Sequence, residues 1–146
     1  MKNRVEVMHG VNLDTLGRRD PQWYPKITLT ELEVRVKRFA SDLGLETTFS
    51  QTNHEGEFCE LLHRAPETAD ALLLNPGAWT HYSYAIRDAL EIAALPAVEV
   101  HLSDVASREP WRRVSVITEL CLATVSGEGP EGYRTALERL GPELGR

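Results

Sequence analysis

The fold that the sequence predicts is a three-layer α/β sandwich, with five parallel strands in one sheet and helices on both faces. Three observations predict it. Short segments of strand composition alternate with segments whose apolar residues recur every three and four positions. The strand-like segments are apolar on both faces, the pattern of strands covered from both sides. The chain has 146 residues, the size of one domain, enough to bury about two-thirds of the surface its unfolded form exposes.

Each element has its own signal. Val5 to Met8 reads as the first strand, ending in the turn His9-Gly10, and a long polar loop follows through Lys26. Loops of that length usually carry function. From Leu29 the residues Leu29, Leu32, Val36, Phe39 and Leu43 keep helical spacing, with Thr28 and Glu31 placed as a capping box and Gly44 as a stop. Leu45 to Gln51 is the second strand, and Phe58, Leu61, Leu62 and Ala65 mark the face of a second helix. Ala71 to Leu74 is a third strand. After Pro76-Gly77 come a helix from about Tyr82 to Ala94, a fourth strand at Ala97 to Val100 and a charge-rich loop through Arg113. A fifth strand near Leu120 to Val125 leads to a last helix starting around Pro130. No repeat or Ser/Gly linker divides the chain, so residues 1–146 are expected to form a single domain. Right-handed crossovers between parallel strands put helices on both faces, and five strands suit the flavodoxin-like order 2-1-3-4-5.

Composition narrows the partners. A net charge of -6 argues against nucleic acid or an anionic membrane, which need a basic footprint, and favours a small molecule. No apolar run approaches the roughly 20 residues that cross a bilayer, and the N-terminus enters a strand without a signal-like segment, so a cytoplasmic protein is expected. Cys59 and Cys121 lie in apolar-periodic segments and form no Cys-x-x-Cys pair, and they read as small core hydrophobes.

In an open α/β sheet, ligands bind outside the carboxyl ends of the strands. Here those ends are unusually polar: His9, Asn12 and Asp14 follow the first strand, Asn53-His54-Glu55 the second, Asn75 and His81 the third, His101 and Ser103 the fourth. Any one of these side chains alone reads as a turn or helix cap. Their convergence on four successive exits points to one cleft. The loop Arg18-Arg19-Asp20-Pro21-Gln22-Trp23-Tyr24-Pro25 is able to fold over it. A phenol serves as a base at neutral pH only at a cost of about 4 kcal/mol, unless a neighbouring guanidinium favours its anion.

Two other patterns are discounted. Gly127-x-Gly129-x-x-Gly132 has the spacing of a dinucleotide fingerprint, but too little chain follows for the strand and acidic residue such a site needs. A turn and helix start, with Pro130 in the first turn, is the better account. His54, Glu55, His81 and His101 lack the spacing of a metal site, so no metal and no cofactor are expected.

Together these segments resemble the type II 3-dehydroquinate dehydratases over essentially the whole chain. The resemblance is carried by His9-Gly10-Val11-Asn12-Leu13-Asp14-Thr15-Leu16-Gly17, by Arg19-Asp20-Pro21 with Tyr24, and by Gln51-Thr52-Asn53-His54-Glu55-Gly56. It continues in Asn75-Pro76-Gly77-Ala78 with Thr80-His81, Ala85-x-Arg87-Asp88-Ala89, Val98-Glu99-Val100-His101-Leu102-Ser103 and Arg108-Glu109-Pro110 with Arg112. It implies a lyase of the shikimate or quinate pathway in which Tyr24, as tyrosinate held by Arg19, takes a proton from the carbon beside a ketone. Asn12 positions a water on the developing enolate, and His101, oriented by Glu99, protonates the departing hydroxyl. The substrate carboxylate rests on Asn75 and the amides of Leu102 and Ser103, while His81 and Arg112 hold ring hydroxyls. Arg108 and Asp88 of a neighbouring subunit help to order the lid, in a dodecamer of four trimers.

Such an elimination needs a base, an acid and a donor to the enolate. A Schiff-base route would need a desolvated lysine, and Lys2, Lys26 and Lys37 lie outside the predicted strands. The chain departs from the family pattern at His9, Val11, Asp14, Pro25 and Asp104. His9 and Asp14 are expected to border the cleft and to alter substrate preference, and Pro25 to change lid closure. An amino analogue of 3-dehydroquinate is the alternative substrate. A flavodoxin-like binding module, or an inactive relative, is the alternative class.

Overall fold

A computed structural model describes residues 2–145. The strands are β1 (Arg4–His9), β2 (Glu46–Gln51), β3 (Ala71–Asn75), β4 (Ala97–His101) and β5 (Ala123–Ser126); the helices are α1 (Leu29–Asp42), α2 (Glu55–Thr68), α3 (Tyr84–Ala93) and α4 (Glu131–Leu140). All strand pairs are parallel, and the order is β2-β1-β3-β4-β5. The doubly wound, flavodoxin-like sandwich read from the sequence is the fold found.

Successive strand residues face opposite sides of the sheet. Leu73, Val5, Val7, Val98 and Val100 face a core closed by Leu32, Val36 and Phe39 of α1 and by Tyr133, Ala136, Leu137 and Leu140 of α4. Met8, Leu72 and Leu74 face the other core, closed by Phe58 and Leu62 of α2 and by Ile86 and Leu90 of α3. Each fully buried large apolar side chain contributes roughly 1.5–3 kcal/mol, so both faces of β1, β3 and β4 are fixed in register.

The ends of α1 follow the sequence signals. The Thr28 hydroxyl accepts from the Glu31 amide and the Glu31 carboxylate accepts from the Thr28 amide, which closes a capping box. At the other end Gly44, with φ of 73°, donates to Ser41 while Leu45 donates to Ala40. This Schellman closure favours glycine because of the left-handed turn.

Four stretches differ from expectation. The first loop carries a 3-10 turn at Leu13–Thr15, and the charged loop after β4 folds into two more, Val105–Ser107 and Pro110–Arg113. The fifth strand begins three residues late, because Thr118–Leu120 forms a 3-10 turn that delivers the Leu122 amide to the Ala97 carbonyl at 2.8 Å. Helix α3 starts at Tyr84 because the Ser83 hydroxyl caps the Ile86 amide.

The exits of β1 and β3 lie close together. The Gly10 amide donates to the Asn75 carbonyl at 2.8 Å, and a Cβ at residue 10 would stand 2.2 Å from the Pro76 carbonyl oxygen. Only glycine allows that approach, and it brings the Asn12 turn beside Asn75.

Candidate active site

The carboxyl ends of β1, β3 and β4 open into a cavity of about 220 Å³ roofed by the first loop. Val11, Asn12 and Leu13 come from the β1 exit, Arg19 and Tyr24 from the roof, and Asn75 and His81 from β3 and the turn after it. His101, Leu102 and Ser103 come from the end of β4, and Arg108, Trp111 and Arg112 from the loop beyond. A larger and more open groove lies between the roof and the start of α1, lined by Arg18, Lys26 and Glu31 among others, but it includes neither Tyr24 nor any histidine.

Two guanidinium groups converge on one phenol. Arg19 donates to the Tyr24 oxygen at 2.9 Å with its charged carbon 4.1 Å from the ring centre, and Arg108 donates to the same oxygen at 2.9 Å. Two cationic donors on one oxygen stabilise negative charge there. Arg108 also donates to the Ser103 hydroxyl at 3.2 Å and lies 5.1 Å from the centre of the Trp23 ring. The roof is thereby tied to the β4 loop.

Across the cavity, His101 Nε2 donates to Glu99 Oε2 at 2.5 Å. Glu99 is fully buried, and its remaining capacity is taken by hydroxyls: Thr80 at 2.5 Å on Oε2, Ser115 at 2.7 Å and Thr124 at 3.2 Å on Oε1. Burial alone would raise this carboxyl. The hydrogen bond and charge of His101, with the Thr80 and Ser115 hydroxyls, outweigh it and hold Glu99 below the usual carboxylate range. The second ring nitrogen of His101 has no protein partner among the described residues and remains for a ligand.

His81 Nδ1 donates to the Val114 carbonyl at 2.6 Å, which leaves Nε2 as an acceptor when the ring is neutral. Desolvation, helped by the charges of His101 and Arg112, lowers the His81 pKa and favours that neutral form. Trp111 stands edge-on to His81 at 5.2 Å and carries the Arg112 guanidinium 4.2 Å from its ring centre. Glu109 accepts from Arg112 Nε at 2.7 Å, so this arginine is held from two sides.

Asn12 has φ of 71°, a left-handed conformation that asparagine tolerates better than most residues. Its amide donates to Asn53 Oδ1 at 2.8 Å, and Asn53 Nδ2 donates to Asp14 at 3.0 Å. Asn75 lies beside it with Oδ1 accepting from the Gly77 amide at 3.2 Å and Nδ2 donating to the Tyr133 hydroxyl at 3.0 Å.

Residues 3–141 match the family described as Dehydroquinase class II. The chain belongs to that family. Among its relatives, a 3-dehydroquinate dehydratase of Pelotomaculum thermopropionicum is 47% identical over 134 residues, covering 92% of this chain and 93% of the relative. A type II dehydroquinase from Propionibacterium acnes superposes with a TM-score of 0.91 at 37% identity, covering 97% of this chain and 98% of that one. The corresponding enzyme from Butyrivibrio crossotus gives 0.90 at 35% identity, covering 95% and 97%.

Within this dehydroquinase fold the residues singled out from sequence fall into three groups. Asn12, Arg19, Tyr24, Asn75, His81, His101, Leu102, Ser103 and Arg112 line one cavity. Glu99 lies behind it, on His101. Asp88 is exposed on α3, outside the cavity of its own chain, whereas the sequence reading assigned it to a neighbour's lid.

The expectation that His9 and Asp14 border the cleft is corrected. His9 is 0% exposed and points inward to Tyr133, because the last residue of β1 alternates into the α4 core. Asp14 is used in holding Asn53. Likewise His54 and Glu55 do not reach the cavity: His54 is exposed before α2, and Glu55 opens that helix.

Sequence reasoning passed over Trp111, Tyr133 and the three hydroxyls on Glu99. Trp111 sits in a run that reads only as charged loop, beside the implicated Arg112. Tyr133 has the spacing of an ordinary core residue. The hydroxyls come from three separate segments, so no local pattern marks them.

Proposed function

We propose that this chain eliminates water from 3-dehydroquinate to give 3-dehydroshikimate in the shikimate or quinate pathway. The observation that carries this reading is the phenol oxygen of Tyr24, held by Arg19 and Arg108, in one cavity with His101 on its buried carboxylate. Dehydration of a β-hydroxy ketone needs a base at the carbon beside the carbonyl and an acid at the departing oxygen.

Tyr24, as phenolate, takes the proton from that carbon, and electron density moves onto the ketone oxygen. Asn12 holds a water that donates to this enolate oxygen. The enolate then re-forms the carbonyl and expels the β-hydroxyl, which leaves as water with a proton from His101. Glu99 keeps the imidazole ring aimed. Asn75, with the amides of Leu102 and Ser103, takes the carboxylate, and His81 and Arg112 hold ring hydroxyls. The three lysines are exposed and none lines the cavity. An amine for a Schiff base is therefore missing at this site among the described residues.

The same reading includes assembly into a dodecamer of four trimers, with Asp88 of a neighbouring subunit ordering the lid. Supporting it, Tyr84 and Ile92 stand 69% and 68% exposed on α3, on either side of Asp88 at four-residue spacing. An apolar stripe of this kind fits burial against another subunit. Cytoplasmic placement belongs to the reading too, supported by the two unpaired thiols Cys59 and Cys121. No helix among the described residues is long and apolar enough to cross a membrane.

The deciding experiment is turnover of purified protein on 3-dehydroquinate, followed by the absorbance of the enone product. Steady growth of that absorbance is expected. Its absence at substrate saturation overturns the reading.

A further inference from the structure

Behind the cavity wall three buried polar side chains form a line: Asn75 at the end of β3, Tyr133 in α4 and His9 at the end of β1. Only Asn75 lines the cavity. At Asn75 the direction of donation is fixed by the neighbouring Gly77 amide. The Gly77 amide has only a proton to give, so the Asn75 atom facing it at 3.2 Å is Oδ1, and Nδ2 is the atom facing the Tyr133 oxygen at 3.0 Å. That hydroxyl accepts from the amide and turns its own proton toward His9 Nε2, 2.9 Å away. In this arrangement His9 accepts at Nε2 and carries its proton on Nδ1, a buried nitrogen without a partner among the described residues.

We infer that His9 and Tyr133 are positioning residues that lock the Asn75 side-chain amide as a donor to the cavity, so the ligand atom docking there must be a hydrogen-bond acceptor. This rests on the reading of Asn75 as a contact of the substrate carboxylate. With Oδ1 held by Gly77 and one amide proton held by Tyr133, the second amide proton is left to donate into the cavity. Without Tyr133 as acceptor the amide loses the partner that keeps it from turning over and presenting its carbonyl. A ligand bearing an ammonium or other donor at this point meets a second donor and is rejected, so two residues that never touch the ligand set its selectivity.

The test compares Tyr133→Phe, His9→Leu and His9→Gln with the unaltered protein, on 3-dehydroquinate and by NMR of the Asn75 side-chain amide. Tyr133→Phe and His9→Leu are expected to raise KM about tenfold, the loss in kcat/KM being carried mainly by KM. His9→Gln, whose amide oxygen reaches the place of Nε2, is expected to stay within about twofold. Combining Tyr133→Phe with Asn75→Ala is expected to add nothing to Asn75→Ala alone, a coupling that a merely structural role would not give. The Asn75 amide protons are expected to exchange with solvent faster in Tyr133→Phe and in His9→Leu. An unchanged KM, additive effects in the double variant, or unchanged exchange overturns the inference. If the unaltered protein does not turn over 3-dehydroquinate, the proposed function fails while amide exchange still decides the relay. Should Tyr133→Phe not fold, the two His9 variants make the same comparison.

Discussion

His101 and Glu99 stand two residues apart on β4, face the same side of the sheet and meet at 2.5 Å through Nε2 and Oε2. The period of two along a strand puts the imidazole and the carboxylate together without any loop to hold them. Glu99→Gln keeps the shape but removes the carboxylate that holds the imidazole in place. It is expected to lower kcat by about 10- to 100-fold with KM changed little, while His101→Ala lowers kcat by about 10³-fold. Steady-state kinetics on 3-dehydroquinate decides this, and a Glu99→Gln enzyme with unaltered kcat would remove the pairing from the mechanism.

Tyr24→Phe removes the one oxygen on which Arg19 and Arg108 converge. Turnover is expected to fall by about 10³-fold or more, with the circular dichroism spectrum and the assembly state retained, since this ring belongs to the roof and not to the centre of either core. Activity within a few-fold of the unaltered enzyme refutes the base assignment.

Burial lowers the His9 pKa from 6.5 to about 4. The unfolded chain therefore binds a proton at this residue between those values where the folded chain does not, so stability falls as pH falls from about 6.5 toward 4. At about 1.4 kcal/mol per pH unit the loss reaches up to about 3 kcal/mol. Urea unfolding at pH 7 and pH 4.5 measures it, and His9→Gln should flatten the difference over this window. Asp70 acts in a lower one: hydrogen bonds and charge from Arg4 bring it to about 2, so its contribution is present above its ordinary 3.8 and is lost as pH falls toward 2.

The exposed stripe of α3 gives a prediction about size. Twelve copies of a 16.4 kDa chain have a mass of about 200 kDa, the value expected from light scattering. Ile92→Glu places a second charge at one end of that stripe, beside Asp88, and is expected to yield smaller species with weaker turnover. A monomeric unaltered protein at full activity contradicts the role given to Asp88.

The order of strands, the capped start of α1 and the crowding of polar residues at the strand exits were legible in the sequence, because each is written in local periodicity or in the chemistry of a single turn. The fifth strand was placed three residues early because the apolar run from Leu120 does not reveal where the chain leaves a 3-10 turn and enters the ladder.

The sequence by itself determined a doubly wound α/β sandwich with a phenol, an imidazole and several arginines near one edge. Tertiary structure alone decided that Arg108, 84 positions from Tyr24, reaches the same oxygen as Arg19. It also decided that three hydroxyls from distant segments hold Glu99, and that His9 turns away from the cleft to a tyrosine 124 positions along the chain. Periodicity assigns a residue to a face of its own element, whereas the partner it meets there depends on how separate elements pack.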